Sequence, residues 1–313
     1  MRISSRQIVD NVLINLHRNY ARLDRLQTRL SSGKRVMLPS DDPAGAATAT
    51  RLRAFVLDNE QYLKNAQAAL GWLTATDSAL QDVVSVLHRA RELTINAARG
   101  DLPGDAREAL ASEFDQLIRH LVQVANTTHG GRYIFGGTQT EQAPYVSTDD
   151  VDGYVDTVTF YGNDQEMIYE IGPGVRQAVS VSGATVFDHG SGGGSGPPVT
   201  VATGLFSTLI TIRQHISDGE VDQLSGQDLA DLDQALDHVL RTLSRVGARQ
   251  NGFELVAERL QSQEVNLKDL LSKTEDLDVA EAIVELKMQE NVYRLALASG
   301  ARIIQPTLLD FLR

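Results

Sequence analysis

The chain has 313 residues, enough for two or three domains, and a net charge of −12 at neutral pH. A surface that acidic disfavours nucleic acid and anionic lipid as partners. There is no cysteine, which excludes disulfides, thiolate metal sites and a cysteine nucleophile. The start MRISSRQIVDN lacks the apolar run of a cleaved secretory signal, and no segment approaches the length of a membrane span. Composition by itself therefore implies a cytoplasmic protein with no nucleic acid partner and no membrane insertion.

From Ser5 to Leu30, Val9, Leu16, Leu23 and Leu30 recur every seven residues, with Val12 and Leu26 in the companion positions. This is the seam of a helix packed along one narrow face, and Asn19 in the remaining companion position fixes register at a cost in stability. Residues 1–40 carry eight Lys and Arg against two acids. A second helix starts at Asp42-Pro43, an N-cap followed by proline at the first helical position. Its pattern runs to about Ala98, with Ala66, Leu70, Leu73, Leu80, Val84 and Leu87 as the seam, Asp77 as an intruder and Gly71 as the place for a bend. At 1.5 Å per residue that is a rod of about 80 Å. After the turn Gly100–Gly104, residues Leu110, Phe114, Leu117, Leu121 and Val124 form a third seam, ending near His129-Gly130-Gly131.

The pattern changes at Arg132. Short alternating runs at Val155–Tyr161, Met167–Ile171 and Val175–Val181, separated by turns at Gly153, Gly162–Asp164 and Gly172-Pro173-Gly174, predict a small antiparallel β unit. His189–Pro198 has the composition of a linker or surface loop. Helix resumes over Leu205–Ile216 and again after Ser225-Gly226. From there Leu229, Leu232, Leu236, Val239, Leu243, Val246, Phe253, Val256, Leu260, Leu267 and Leu270 hold a coiled-coil period over about six heptads.

The last segment opens on Asp278 with Glu281 three residues later, a capping-box pattern. Val279, Ile283, Leu286, Tyr293, Leu297 and Ile304 then step by fours and threes, interrupted at Glu290 and Gly300. Pro306 is expected to stop this helix near Gln305, leaving Leu308, Leu309, Phe311 and Leu312 as an apolar tail. Residues 270–313 hold seven acids against five basic residues. Amphipathic helices of opposite sign at opposite ends predict that the chain leaves and returns to one place. The heptads do not distinguish pairing within one subunit from pairing between neighbours.

These ends carry a resemblance. LSSGKRVMLPSDDPAG (Leu30–Gly45) resembles the N-terminal signature of the bacterial flagellin superfamily, and Leu271–Leu312 resembles its C-terminal region. In the middle, HGGRYIFGGTQTEQAPY (His129–Tyr145) and the segment Tyr161–Phe187 are similar to the hook-associated branch of that superfamily, as is the ending Pro306–Arg313.

The resemblance implies a mainly α fold with a β insertion. N- and C-terminal halves would form an elongated helical bundle, with a small antiparallel β domain between them. The divisions would be 1–42 with 273–313, then 43–131 with 204–272, then 132–203. It implies a structural protein that joins hook to filament. Its partners would be copies of itself, a hook-side hook-associated protein, flagellin, and an export chaperone and export apparatus. It also implies an extracellular place in the flagellum, reached through the flagellar type III apparatus without a cleaved signal, which overrides the cytoplasmic expectation. The assembly residues would be Val9, Val12, Leu16, Leu23, Leu26 and Leu30 at one end. At the other they would be Val279, Ile283, Leu286, Tyr293, Leu297, Ile304, Leu308, Leu309, Phe311 and Leu312.

No chemical site emerges from the sequence. The seven His are scattered, without the pair four apart flanking a Glu that a helical zinc site needs. Thr148–Gly153 echoes a calcium loop, but Thr148 and Thr159 stand where the first ligand and the final Glu belong, so a solvated acidic turn is the reading. The glycines of 190–196 lack the Gly-Lys-Ser/Thr of a phosphate loop. No catalytic, cofactor or metal residue is assigned. The competing readings are a short filament flagellin and, from another class, a signalling coiled-coil rod, which a mid-chain β insertion disfavours.

Overall fold

The computed structural model describes residues 5–100, 102–187, 199–200 and 204–311, and these form two compact units. Unit 1 is Met1–Asp58 with Ser262–Arg313, and unit 2 is Asn59–Gln261. Residues 188–198, which include the expected linker, lie outside the described residues.

Helix α2 (Pro43–Ala97) buries a broad face along its unit 2 part, from Asn59 onward. Ala66, Ala69, Leu73, Thr76, Leu80, Val83, Leu87, Ala90, Thr94 and Ala97 step by threes and fours, and all are 5% exposed or less. Thr76 and Thr94 can sit in this apolar row because each hydroxyl donates to the carbonyl four residues back, Trp72 O at 2.9 Å and Ala90 O at 2.8 Å. Gly71 does not break the helix. Its place fits the His129 ring, whose Nε2 would lie 3.4 Å from an added β-carbon. Helix α3 (Gly104–Ala125) buries Phe114, Ile118 and Leu121. Helix α5 (Leu205–Asp218) buries Phe206, Leu209, Ile212 and Ile216 and stops at Gly219, whose φ of 73° lets it cap the helix. Helix α7 (Leu229–Glu275) follows a three-residue helix, α6 (Val221–Gln223), and a turn of π-helix at Leu224–Asp228. It contributes Leu232, Val239, Val246, Phe253 and Leu260 to the core.

Between α3 and α5 lie the strands. β1 (Thr128–His129) and β2 (Arg132–Tyr133) pair across Gly130-Gly131, both at positive φ as a tight hairpin turn requires. β3 (Tyr145–Asp149), β4 (Val155–Phe160) and β7 (Val199–Thr200) form an antiparallel sheet in the order β3-β4-β7. β5 (Ile168–Gly172) and β6 (Val175–Ala178) form a separate hairpin around Pro173-Gly174. The expected runs at 155, 168 and 175 are therefore strands, while the short helix α4 (Gly183–Phe187), β1, β2 and β3 were not visible as patterns. An aromatic knot ties this region to α5: Tyr145, Phe187 and Phe206 have ring centroids 5.3–5.4 Å apart.

The same unit holds a buried charge cluster. The Asp115 carboxylate, 4% exposed, accepts from Val155 N at 2.8 Å, Arg119 Nε at 2.8 Å and Arg213 Nη1 at 3.3 Å. Arg213, 5% exposed, also donates to Val155 O at 2.8 Å. Arg119 extends outward to Asp149 and to Gly153 O. One carboxylate thus joins α3, α5 and the β3–β4 hairpin.

In unit 1, helix α1 (Ser5–Ser32) lies against helix α8 (Val279–Phe311). Asp278 caps α8 through Oδ1, which accepts from Ala280 N at 2.9 Å and Glu281 N at 3.1 Å. Asp42 caps the start of α2 in the same way, accepting from Gly45 N at 2.9 Å. Pro306 does not end α8, contrary to the expectation from sequence. Helical backbone continues to Phe311, because a proline removes one i→i−4 bond without forbidding the turns beyond it.

Candidate assembly interface

The two terminal helices pair antiparallel within one chain. Val9, Val12, Leu16, Asn19, Leu23, Leu26 and Leu30 are half-buried or buried on α1, joined there by Arg29, so the heptad seam read from sequence is the face that packs. Burying apolar side chains of this kind contributes roughly 1.5–3 kcal/mol each when complete. Most here are only half covered, so the seam is weaker than a closed core. Opposite them, Gly300 is buried; a β-carbon there would lie 3.0 Å from Val12 Cγ1. The Tyr20 and Tyr293 rings meet at 6.1 Å.

On α8 the packed set departs from the expected one. Ala282, Leu286, Gln289, Tyr293, Ala296 and Gly300 are covered, stepping by fours and threes. Leu286 and Tyr293 belong to both sets. Val279, Ile283 and Leu297 are instead 51, 45 and 45% exposed, the last two each one residue past a covered alanine. Small Ala282, Ala296 and Gly300 let α1 approach, and that sets the phase of the helix ahead of the larger side chains. Ile304, Leu308, Leu309 and Phe311 lie on the helical backbone of the final turns; their side chains, and Leu312, fall outside the described residues.

The seam ends at a charged joint. Arg35 N donates to Glu275 O at 2.7 Å and Leu277 N to Gly33 O at 2.9 Å, so the α1–α2 and α7–α8 connections pair through their backbones. The Glu275 carboxylate, 4% exposed, sits between the Lys34 ammonium and Arg53 Nη2, the latter at 2.5 Å. Burial pushes this carboxyl up, but the hydrogen bonds and charges of Lys34 and Arg53 outweigh it and hold it below its usual range. Arg35 Nη2 adds a bond to Thr274 O at 2.8 Å.

The acidic turn at Thr148–Gly153 closes on itself. Asp150 Oδ1 accepts from Asp152 N and Tyr154 N, both at 2.9 Å. Among the described residues no group of three His, Asp or Glu could hold a metal ion, and no helix is long and apolar enough to cross a membrane.

The profile of the bacterial flagellin N-terminal helical region matches residues 3–140, and that of the C-terminal helical region matches 229–312. The chain belongs to the bacterial flagellin family. Among flagellin-family proteins, flagellar hook-associated protein 3 of Escherichia coli is 27% identical over 306 residues, covering 93% of each chain. A flagellin of Bacillus subtilis is 25% identical over 315 residues, covering 97% of this chain and 96% of its own. In structure, a putative flagellar hook-associated protein from Vibrio parahaemolyticus superposes with a TM-score of 0.62 at 18% identity, over 75% of this chain and all of the other. That likeness shows the same fold, helical with an antiparallel middle. In this flagellin-family chain the paired terminal helices, their exposed flanks and the joint at Glu275 form the candidate site of assembly.

Proposed function

We propose that this chain is a structural subunit of the bacterial flagellum that joins the hook to the filament. The observation that carries this reading is the match to hook-associated protein 3, which runs through the β region as well as both ends and covers 93% of each chain. On this reading the subunit assembles with copies of itself through α1 and α8. It meets a hook-side hook-associated protein on one side and flagellin on the other. Before assembly it would pass through the flagellar type III apparatus without a cleaved signal, its C-terminal segment held by an export chaperone, and finish outside the cell. The role asks for no catalysis and no cofactor. The half-covered seam and the exposed Val279, Ile283 and Leu297 support it, since apolar side chains left in water at both chain ends are what association covers.

A junction must stop, whereas a filament subunit continues, so its upper and lower surfaces have to fit different partners. The discriminating surface is assigned to Arg132–Tyr145 and the strands to Phe187, between the two flagellin-like regions. A second reading, a short filament flagellin, draws on the near full-length match to the Bacillus subtilis flagellin. Deleting the gene separates the two. Loss of the junction leaves hooks without filaments and flagellin in the medium, and the purified chain stays monomeric or forms bounded rings. Micrometre-long filaments growing from the chain's own fragments would replace the junction reading with the filament one.

A further inference from the structure

An open groove of about 520 Å³ lies in the β region of unit 2, lined by Arg132, Gln139, Glu141, Gln142 and Met167. Small-molecule sites span about 300–1,000 Å³. The loop that forms one wall is held in shape. Asn163 clasps it twice, Oδ1 accepting from Thr138 N at 2.9 Å and Nδ2 donating to Thr138 Oγ1 at 2.7 Å. Gly137 has a φ of 69°, and a β-carbon there would run into Asn163. Thr140, 7% exposed, accepts through its carbonyl from Tyr133 N at 2.9 Å. A wall fixed in this way loses little freedom when a ligand arrives.

The polar side chains on this frame are free to bond. Arg132, Gln139, Glu141 and Gln142 are exposed, and among the described residues none of the four side chains has a hydrogen-bond or ion-pair partner. Arg132 and Glu141 thus line one groove without pairing with each other. This combination selects a chemistry. Glu141 repels an anion such as phosphate, and Arg132 repels a cation. A neutral ligand remains, and it must both donate and accept, since a guanidinium only donates, a carboxylate only accepts and an amide does both. Each of these planar ends presents adjacent polar atoms, which match neighbouring hydroxyls on one ring. Half-buried Met167 supplies an apolar patch for the ring's C–H face. A peptide main chain fits less well. It would add to a free strand edge, but Tyr133 N is taken by Thr140 O and Ile134 N by Thr127 O.

We propose that this groove binds a neutral saccharide, with Arg132 donating to its hydroxyls, Glu141 accepting from them, and Gln139 and Gln142 doing both. The site lies in unit 2, apart from the terminal helices, and does not depend on the junction reading. Each bond to the sugar replaces one to water, so an open groove of this kind gives a dissociation constant of about 1 mM.

The test is saturation-transfer NMR on the full chain with maltotriose, cellotriose and triacetylchitotriose. Each is present at roughly 10 mM, enough to fill a millimolar site. The expected result is transfer to at least one trisaccharide, lost in Arg132→Ala and in Glu141→Ala and kept in Arg176→Ala, which removes an exposed arginine outside the groove. Both groove side chains are exposed and without partners, so the melting temperature should stay that of the parent chain. Gln142→Ala replaces either variant that fails to fold. A capped triglycine peptide is run alongside. No transfer to any of the three sugars, or transfer that survives the groove variants, overturns the proposal. Transfer to the peptide that disappears in Arg132→Ala overturns the choice of saccharide.

Discussion

Replacing Asp115 by Ala removes the one counter-charge shared by α3, α5 and the β3–β4 hairpin. Arg213 would keep Val155 O at 2.8 Å and the Tyr154 ring 5.1 Å away, but no carboxylate. Breaking a buried ion pair from one side costs about 3–5 kcal/mol, because the remaining charge stays out of water. For a unit the size of Asn59–Gln261, each kcal/mol moves the melting temperature by roughly 2–4 °C, so a fall of roughly 6–20 °C is expected. Arg213→Ala costs less, about 2–4 kcal/mol, because Asp115 retains Arg119 and the Val155 amide. The paired replacement Asp115→Leu with Arg213→Met costs no more than about 2 kcal/mol, chiefly for the Val155 N–H left without an acceptor. Trp72 is the only tryptophan and is 4% exposed in the same unit, so its fluorescence in a urea titration reads the transition directly. A cost below about 1 kcal/mol for Asp115→Ala, or a double variant costing the sum of the singles, would show that the pair is not coupled and refute the reasoning.

Gly300→Leu drives a side chain into Val12 and should weaken the α1–α8 hairpin by about 1–3 kcal/mol. Amide exchange in α8 should quicken while the Trp72 transition stays in place. Leu286→Asp sets a charge in the half-buried seam at a cost of several kcal/mol; motility should fail, and a motile strain carrying it contradicts the assignment. Glu275 has a depressed pKa in the fold, so its contribution is present above the unfolded value of about 4.5 and is lost as pH falls through the folded one. Its cations are about half exposed, which limits the effect to about 1 kcal/mol. Protection at the Arg35 and Leu277 amides, measured as exchange relative to the intrinsic rate at each pH, should fall below about pH 4.5, and Glu275→Gln should remove that dependence.

The α1 seam was legible because Val9, Leu16, Leu23 and Leu30 repeat every seven residues, which marks one face even though Leu13, Ile14 and Tyr20 lie off it. On α8 the period was legible and the phase was not. Val284, Met288, Val292 and Leu295 occupy one flank and Val279, Ile283 and Leu297 the other, so a four-three pattern fits more than one rotation. The face that packs is marked by Ala282, Gln289, Ala296 and Gly300, letters that carry little hydrophobic signal. Pro306 misled because its lost hydrogen bond and ring clash burden one turn without forbidding helical backbone after it, which here continues to Phe311. Strands β4 to β6 showed alternation, whereas β1 and β2 have two residues each and β3 reads as polar over Ser147–Asp149. The Asp115–Arg213 pair spans 98 positions and leaves no local trace.

The nested contacts also impose an order on folding. Asn59 Nδ2 donates to Leu260 O at 2.8 Å, Arg53 meets Glu275, Gly33 meets Leu277, Tyr20 meets Tyr293 and Val12 meets Gly300. Closing the outermost pair directly would need the two ends of nearly the whole chain to find each other. Once the 59–260 contact is made, each later pair closes only a small additional loop, and the entropy of each step is correspondingly small. Loop-closure entropy therefore favours pairing from the middle outward, in the manner of a zipper.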